Sequence, residues 1–464
     1  MAENRTSIPP FGLRDKLGYM LGNVANDLTF AFAGVFLLVF YTKVLGISPA
    51  AVGTVFMLAR FADAVTDVTM GRICDRSPVT ANGKFRPWLV RMCIPTAAAS
   101  FLMYQSGVAG APLALRLTYA VVTYLLWGSI FYTSVNIPYG SMASVITPNA
   151  SERSSLSTAR SVGSLISNLA VGVIAPLFIY RSAADGTENV IPSAFPRVAA
   201  VFSLLAVGGY LACYFLTRER VILPEKTEGE HLPFKKTASS LVKDRALIGI
   251  VLASVCVLAA QLLSQSVNQY LFIDYFKDRS GIVLMSAVSM LPSLALAPAA
   301  APLAARFGKK ELGVFGSLVA AASSILLLVL RTKSVWVYIT VSLVGFLGFG
   351  VFNLIIWAFI SDVIDDRQIR SGSRDDGTVY AVYSFARKVG QAIAGGLGGW
   401  TLAAIGFEEG LSEQTEAVAN GIYTVSTLLP AVLYLAVALI LAFIYPLGKK
   451  RVEENVKKLK GQIS

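Results

Sequence analysis

Apolar runs separated by short polar connections occupy most of this chain. They lie at about 17–45, 50–74, 87–107, 113–146, 154–181, 196–216, 246–275, 280–305, 311–331, 335–361, 378–406 and 419–446. A helix needs about 20 mostly apolar residues to cross a bilayer, so the pattern predicts twelve membrane-spanning helices. Several runs exceed a straight span, which predicts tilt or protruding ends. The longest hydrophilic stretch, about 217–245, divides the chain into two six-helix halves, 1–216 and 246–447, with a tail at 448–464. The odd-to-even connections are short and weakly charged or acidic. The even-to-odd connections are basic, carrying Arg76, Lys84, Arg86 and Arg91, then Arg218 to Arg245, then Arg306, Lys309 and Lys310. Positive charge collects on the cytoplasmic side of a membrane protein, so both termini are expected there, in the inner membrane of the cell.

Composition agrees with lipid as the solvent. The chain has 464 residues, 55% of them hydrophobic and only 15% charged, with a mean hydropathy of +0.62; soluble domains carry about a quarter charged residues. The net charge of +12 follows the connections between apolar runs, so nucleic acid is not an expected partner. The first 16 residues have no apolar core, and no cleavable signal peptide is expected. Cys74, Cys93, Cys213 and Cys256 show no metal-like spacing, and the single histidine, His231, falls in the central loop. With no nucleophile arrangement in the membrane, an enzyme is not expected, nor any cofactor beyond a coupling ion.

Ionisable residues at membrane depth are costly and point to function. In the second helix, Arg60, Asp63 and Asp67 stand at i, i+3 and i+7 and share one face. Two carboxylates one turn apart repel unless a positive group stands beside them: Arg60 offsets one, and a bound Na⁺ or a proton offsets the other. The competing reading is an Arg–Asp cluster that only fixes packing. The first helix carries Asn23, Asn26 and Asp27; the carboxylate suits sugar hydroxyls, or a cationic partner on a neighbouring helix. The fifth carries Arg160, Ser164, Ser167 and Asn168, its guanidinium suited to hydroxyl pairs or a carboxylate, or to snorkelling toward the interface. Thr133, Asn136 and Gly140 align on the fourth helix around Pro138, with Tyr132 and Tyr139 nearby. Tyr380, Ser384, Lys388 and Gln391 align on the eleventh; Gln261, Ser264, Gln265 and Asn268 on the seventh suit either solute or interhelical hydrogen bonds. This chemistry suits polyhydroxy solutes at a midplane site between two bundles.

The loop Gly71-x-x-x-Asp75-Arg76…Gly83-Lys84-x-Arg86, echoed by Arg306-Phe-Gly-Lys309-Lys310, resembles the signature loop of the major facilitator superfamily. Positive-inside charge alone accounts for the basic residues but not for the glycines and Asp75. Five runs resemble one branch of that superfamily, the glycoside–pentoside–hexuronide:cation symporters, which include the melibiose permeases and glucuronide carriers. They are Phe40-Tyr-Thr-Lys-Val-Leu-Gly46, Ala59-Arg60-x-x-Asp63-Ala64-x-x-Asp67-x-x-Met70-Gly71, Gly83-Lys-Phe-Arg-Pro-Trp88, Asn136-Ile-Pro-Tyr-Gly-Ser141 and Tyr383-Ser-Phe-x-Arg387-Lys388-x-Gly390-Gln391-Ala392.

The resemblance implies an all-α membrane protein of the major facilitator fold, twelve helices in two six-helix bundles, working as a monomer. It implies symport of a sugar or sugar acid with Na⁺ or H⁺. Asp63 and Asp67 match the family's cation-binding acids, metal ligands if the ion is Na⁺, and Thr133 matches the hydroxyl completing that site. Thr66 stands where the melibiose permease offers an Asn oxygen. Asp27 and Arg160 match sugar-binding groups, with Asn23, Asn136, Tyr139 and Gln391 as further candidates, and Lys388 matches a lysine between the two sites. Arg60, Asp75, Arg76, Lys84 and Arg86 are the expected gating and packing charges. Asn26, Asn136 and Gly140 depart from the melibiose permease pattern of Lys, Asp and Trp, so recognition of the galactoside kind is not expected. Losing a carboxylate at 136 favours a hexuronide, against the remaining Asp27. Alternatives are a lysolipid or drug carrier of the same fold, for which the polar stripes are unsuited, and a transport-dead sugar sensor, for which the tail of about 18 residues is too short for an output domain.

Overall fold

The computed structural model describes residues 9–182, 188–221, 244–371, 376–411 and 413–463. Within them the chain is helical almost throughout. The first half forms α1 (Leu13–Val44), α4 (Leu113–Ile146), α5 (Ser151–Ile179) and α6 (Ala194–Leu216), with α2 (Pro49–Arg76) and α3 (Arg86–Leu102) between α1 and α4. A two-stranded antiparallel ribbon, β1 (Tyr180–Ser182) and β2 (Glu188–Val190), links α5 to α6. The second half forms α7 (Arg245–Tyr275), α8 (Arg279–Phe307), α9 (Lys309–Leu330), α10 (Val335–Ser371), α11 (Asp376–Ala404) and α12 (Glu416–Ile444). A last helix, α13 (Lys449–Ile463), follows.

Local signals set many of these ends. Asn149 caps α5 by accepting from Ser151 N–H, Asp244 caps α7 at Ala246 and Leu247, and Asp278 caps α8 at Ser280. Pro49 opens α2, where its missing N–H costs nothing. Gly308, with φ +95°, ends α8 and lets α9 start at once. Among the described residues, eight helices are long and apolar enough to cross a membrane by themselves. Of the helices outside that set, α2 carries the charged stripe and α3 is only 17 residues long. The largest differences from the sequence reading are two helix ends and the tail. Helix α3 stops at Leu102, short of 107. Helix α10 runs on to Ser371, past 361, because the charges from Asp362 to Arg370 end the apolar run without ending the helix. The tail folds as α13.

The contacts divide the chain into two compact units, Met1–Lys226 with Phe407–Glu413, and Thr227–Gly406 with Gln414–Ser464. In the first, α1 packs on α5 and α6, α3 on α4 and α6, and α2 on α4. In the second, α7 packs on α11 and α12, α9 on α10 and α12, and α8 on α10. Each pair in one unit recurs six helices later in the other. Both α1 and α7 close on a widened π turn, Phe40–Val44 and Leu271–Tyr275. The sequence-level echo between the halves is thus an architectural repeat. Most of the central stretch, 222–243, lies outside the described residues.

Close helix contact relies on small residues. A Cβ at Gly316 of α9 would stand 2.4 Å from the Gly348 carbonyl oxygen of α10, which only glycine permits. The outer faces carry large exposed apolar side chains, among them Leu204 (71%), Val329 (74%) and Phe443 (75%), a surface suited to lipid. Helix α13 is tied to its own unit by charge. The Asp366 carboxylate on α10 meets Arg370 at 2.7 Å and Arg451 of α13 at 3.3 Å. It also accepts from Asn455 Nδ2 at 3.0 Å. Arg370 continues to Asp244 at 2.9 Å, joining the start of α7 to the same network.

Candidate functional site

The polar groups singled out on α1, α2, α4 and α5 form two clusters inside the first unit. The first lies between α2 and α4. Arg60 Nη1 stands 3.3 Å from Asp63 Oδ2, and its guanidinium lies over the Phe30 ring at 5.1 Å. Ser129 Oγ donates to Asp63 Oδ1 at 2.5 Å. Thr133 Oγ1 donates to Asp67 Oδ1 at 2.8 Å and lies 3.1 Å from the Gly128 carbonyl oxygen. Two acids four residues apart on α2 therefore face two hydroxyls four residues apart on α4. Both acids are half-buried, while Ser129 and Thr133 are buried. Thr66 stands aside: its hydroxyl donates to the Asp63 carbonyl within α2, at 3.1 Å.

The second cluster joins α1 to α5. Asn23 Nδ2 donates to Asp27 Oδ2 and to Ser164 Oγ, both at 2.8 Å, and Ser164 Oγ donates to Asp27 Oδ2 at 2.5 Å. The other end of the Asn23 amide, Oδ1, accepts from Arg160 Nε at 3.2 Å. Arg160 also lies over the Tyr139 ring at 5.6 Å. Among the described residues no ion pair joins Arg160 to Asp27 directly; the buried Asn23 amide spans them.

Tyr139 and Asn136 are both turned to protein partners. Tyr139 is fully buried, stacked on Tyr19 at 4.6 Å, and its hydroxyl donates to the Tyr19 carbonyl at 2.7 Å. It meets Arg160 rather than open space. Asn136 accepts from Asn26 Nδ2 at 3.0 Å. Asn26 also donates to Tyr132 at 3.0 Å and accepts from Tyr210 at 3.2 Å, so the buried amide ties α1 to α4 and α6. Lys388 and Gln391 lie partly buried on α11, in the second unit. The side chains of Tyr380, Ser384 and Asp75 lie outside the described residues.

The basic loop between α2 and α3 is anchored by a residue that its sequence does not indicate. The Glu219 carboxylate, just past α6, accepts the backbone N–H of Lys84 at 2.7 Å and those of Phe85 and Arg86 at 2.8 Å. It sits on the amino-terminal end of α3, where free N–H groups and the helix dipole favour an anion. Gly83 is required here: its φ is +101°, and a Cβ would lie 2.5 Å from the Glu219 carboxyl carbon. Buried Arg86 donates to the Tyr214 carbonyl at 2.5 Å and to the Asn82 carbonyl at 3.1 Å. Arg86 and the Lys84 backbone thus hold the loop to the end of α6, while Arg76 is exposed. Ser129 was missed for a different reason. It lies in the widened π stretch Leu126–Tyr132, where helical spacing is not a guide; its only signal was its distance of four residues from Thr133.

Comparison with known proteins agrees with this architecture. A family model described as MFS/sugar transport protein matches residues 18–449. A glucuronide carrier protein homolog of Escherichia coli K12 is 29% identical over 448 residues, covering 96% of this chain and 95% of that protein. A putative glycoside/cation symporter, YagG, of the same organism is 31% identical over 455 residues, covering 96% and 95%. Among solved structures, the inward-open xylose transporter XylE of E. coli superposes with a TM-score of 0.65 at 13% identity, covering 96% of this chain and 98% of that one. That likeness bears on the fold. The chain belongs to the MFS/sugar transport protein family, in the glycoside–pentoside–hexuronide branch that its motifs resemble, and is a multi-pass membrane transporter rather than an enzyme.

Proposed function

We propose that this protein is a sodium-coupled symporter of an anionic sugar derivative, a hexuronide or glucuronide, working by alternating access. The observation that carries the coupling is the α2–α4 ladder. Two carboxylates, two hydroxyls and a backbone carbonyl converge there beside one guanidinium. Na⁺ takes several hard oxygen donors of this kind, whereas a proton needs only one carboxylate. Asp27 and Ser164 supply groups for sugar hydroxyls, and Arg160 supplies a fork for a carboxylate. Relatives named glucuronide carrier homolog and glycoside/cation symporter support the same substrate class.

By linkage, cation binding that raises sugar affinity requires sugar to raise cation affinity equally. The test is uptake in proteoliposomes with a panel of neutral glycosides, pentosides and glucuronides, varying Na⁺ and pH independently. A glucuronide accumulated on an inward Na⁺ gradient is the expected result. Accumulation that follows pH alone would replace Na⁺ by H⁺. Asp63→Asn and Asp67→Asn variants that still accumulate sugar on a gradient would sink the coupling role of the ladder.

A further inference from the structure

Helices of the second unit surround a cavity of about 40 Å³. Ser264 and Asn268 of α7, Ser323 of α9, Ser342 of α10, and Ser426 and Tyr434 of α12 line it, and among the described residues no charged side chain does. Ser426 is buried, and its hydroxyl has no hydrogen-bond partner among the described residues. The next residue, Thr427, donates back to the Tyr423 carbonyl at 2.9 Å, as a helical hydroxyl ordinarily does. Pro430 also lines the cavity and has no N–H, so the Ser426 carbonyl four residues earlier lacks its usual helical donor. One residue thus carries two polar groups that its own helix does not satisfy, which is costly at membrane depth. The repeat does not require a polar lining. Counted back from the π turns that close α1 and α7, Ser264 and Asn268 take the places of the buried Ala33 and Leu37.

We propose that this cavity is a buried water site of the second unit. A water needs about 10–15 Å³ of such space and two to four polar partners, so there is room for about three. A sugar is too large for it, and no lining group offsets the charge of an ion. The waters bond the Ser426 hydroxyl and carbonyl and pass hydrogen bonds on to the α7, α9 and α10 groups. Water does here for α7, α10 and α12 what the Asn26 amide does for α1, α4 and α6. The amide fixes one arrangement, whereas waters exchange partners as helices shift.

X-ray radiolysis of the full-length protein in lipid nanodiscs, read by mass spectrometry, tests this directly. A bound water split in place oxidises the side chains beside it, however buried they are. Met285 and Tyr434 line the cavity, while Met142 and Tyr210 are fully buried in the first unit and serve as matched controls. Met285 and Tyr434 are expected to oxidise several times faster than their controls. Ser426→Val, which fills the space and removes the hydroxyl, is expected to bring both down to the control rates with the melting temperature kept. Ser264→Leu fills the cavity from α7 and should do the same, which covers the case that Ser426→Val does not fold. Wild-type Met285 and Tyr434 oxidised no faster than the controls would mean a dry void and overturn the proposal. Fast oxidation that persists in a folded, filled variant would place the water elsewhere and overturn it equally.

Discussion

Replacing Glu219 by alanine isolates one long-range contact on which a whole loop depends. Its carboxylate accepts three backbone N–H bonds of 2.7–2.8 Å at the start of α3, two of them from the buried residues Phe85 and Arg86. Bonds to a charged acceptor contribute roughly 1.5–3 kcal/mol each when buried, and a carboxylate at a helix amino terminus adds about 0.3–1 kcal/mol. Water takes over part of this at the half-exposed Lys84 and Gly83, so the net loss should be about 3 kcal/mol. For a unit of this size that lowers the melting temperature by at least ~5 °C. A fluorogenic thiol dye is well placed to read it, because Cys74, Cys93 and Cys213 are buried on α2, α3 and α6 around this loop. Glu219→Gln keeps one acceptor oxygen and should fall about midway. Gly83→Ala should match Glu219→Ala, because its Cβ would displace the same carboxylate and its backbone would be held at φ +101°. If Glu219→Ala melts within about 1 °C of the wild type, with unchanged thiol labelling, the clamp does not hold the loop.

Asp366→Asn removes the charge that links α13 to α10. Its partners Arg370 and Arg451 are each 46% exposed, so screening limits the loss to about 1–2 kcal/mol. Faster tryptic cleavage at Lys457 and Lys458, with little change in melting temperature, is the expected signature, and an unchanged cleavage rate would contradict it. Ser164→Ala removes the hydroxyl donated to Asp27 at 2.5 Å. It should raise the half-saturating sugar concentration about tenfold in counterflow while leaving Na⁺ affinity intact; a parallel loss of both would mean that the two clusters are not separable.

The fold was legible where one periodicity ruled. Apolar runs marked the helices because lipid demands an apolar outer face along each whole span. The α2 stripe was legible because regular helical geometry projects 60, 63 and 67 to one side, and the structure indeed sets Arg60 beside Asp63. Departures came where another rule took over. The end of α10 was cut short because hydropathy tracks the bilayer, whereas the helix continues into water on ion pairs. Ser129 was hidden by the widened turn that carries it. Glu219 lies more than 130 residues from the N–H groups it accepts, and no local pattern announces such a pairing. Tyr139 illustrates a different limit: an aromatic beside polar residues reads as a sugar platform, yet its hydroxyl and ring are both spent on protein partners.

The amide of Asn23 has a consequence for how a ligand would be oriented. A guanidinium and a carboxylate in direct contact neutralise each other and present little field to a third body. With one side-chain amide inserted between them, Asp27 and Arg160 each keep a separate pole. The α1–α5 wall is thereby polarised along its length, acceptor-rich at one end and cationic at the other. A sugar acid on the proposed reading is itself asymmetric, hydroxyls at one edge and a carboxylate at the other. Only one of its two orientations lets both ends gain, so a single buried asparagine would decide which way round the cargo is held.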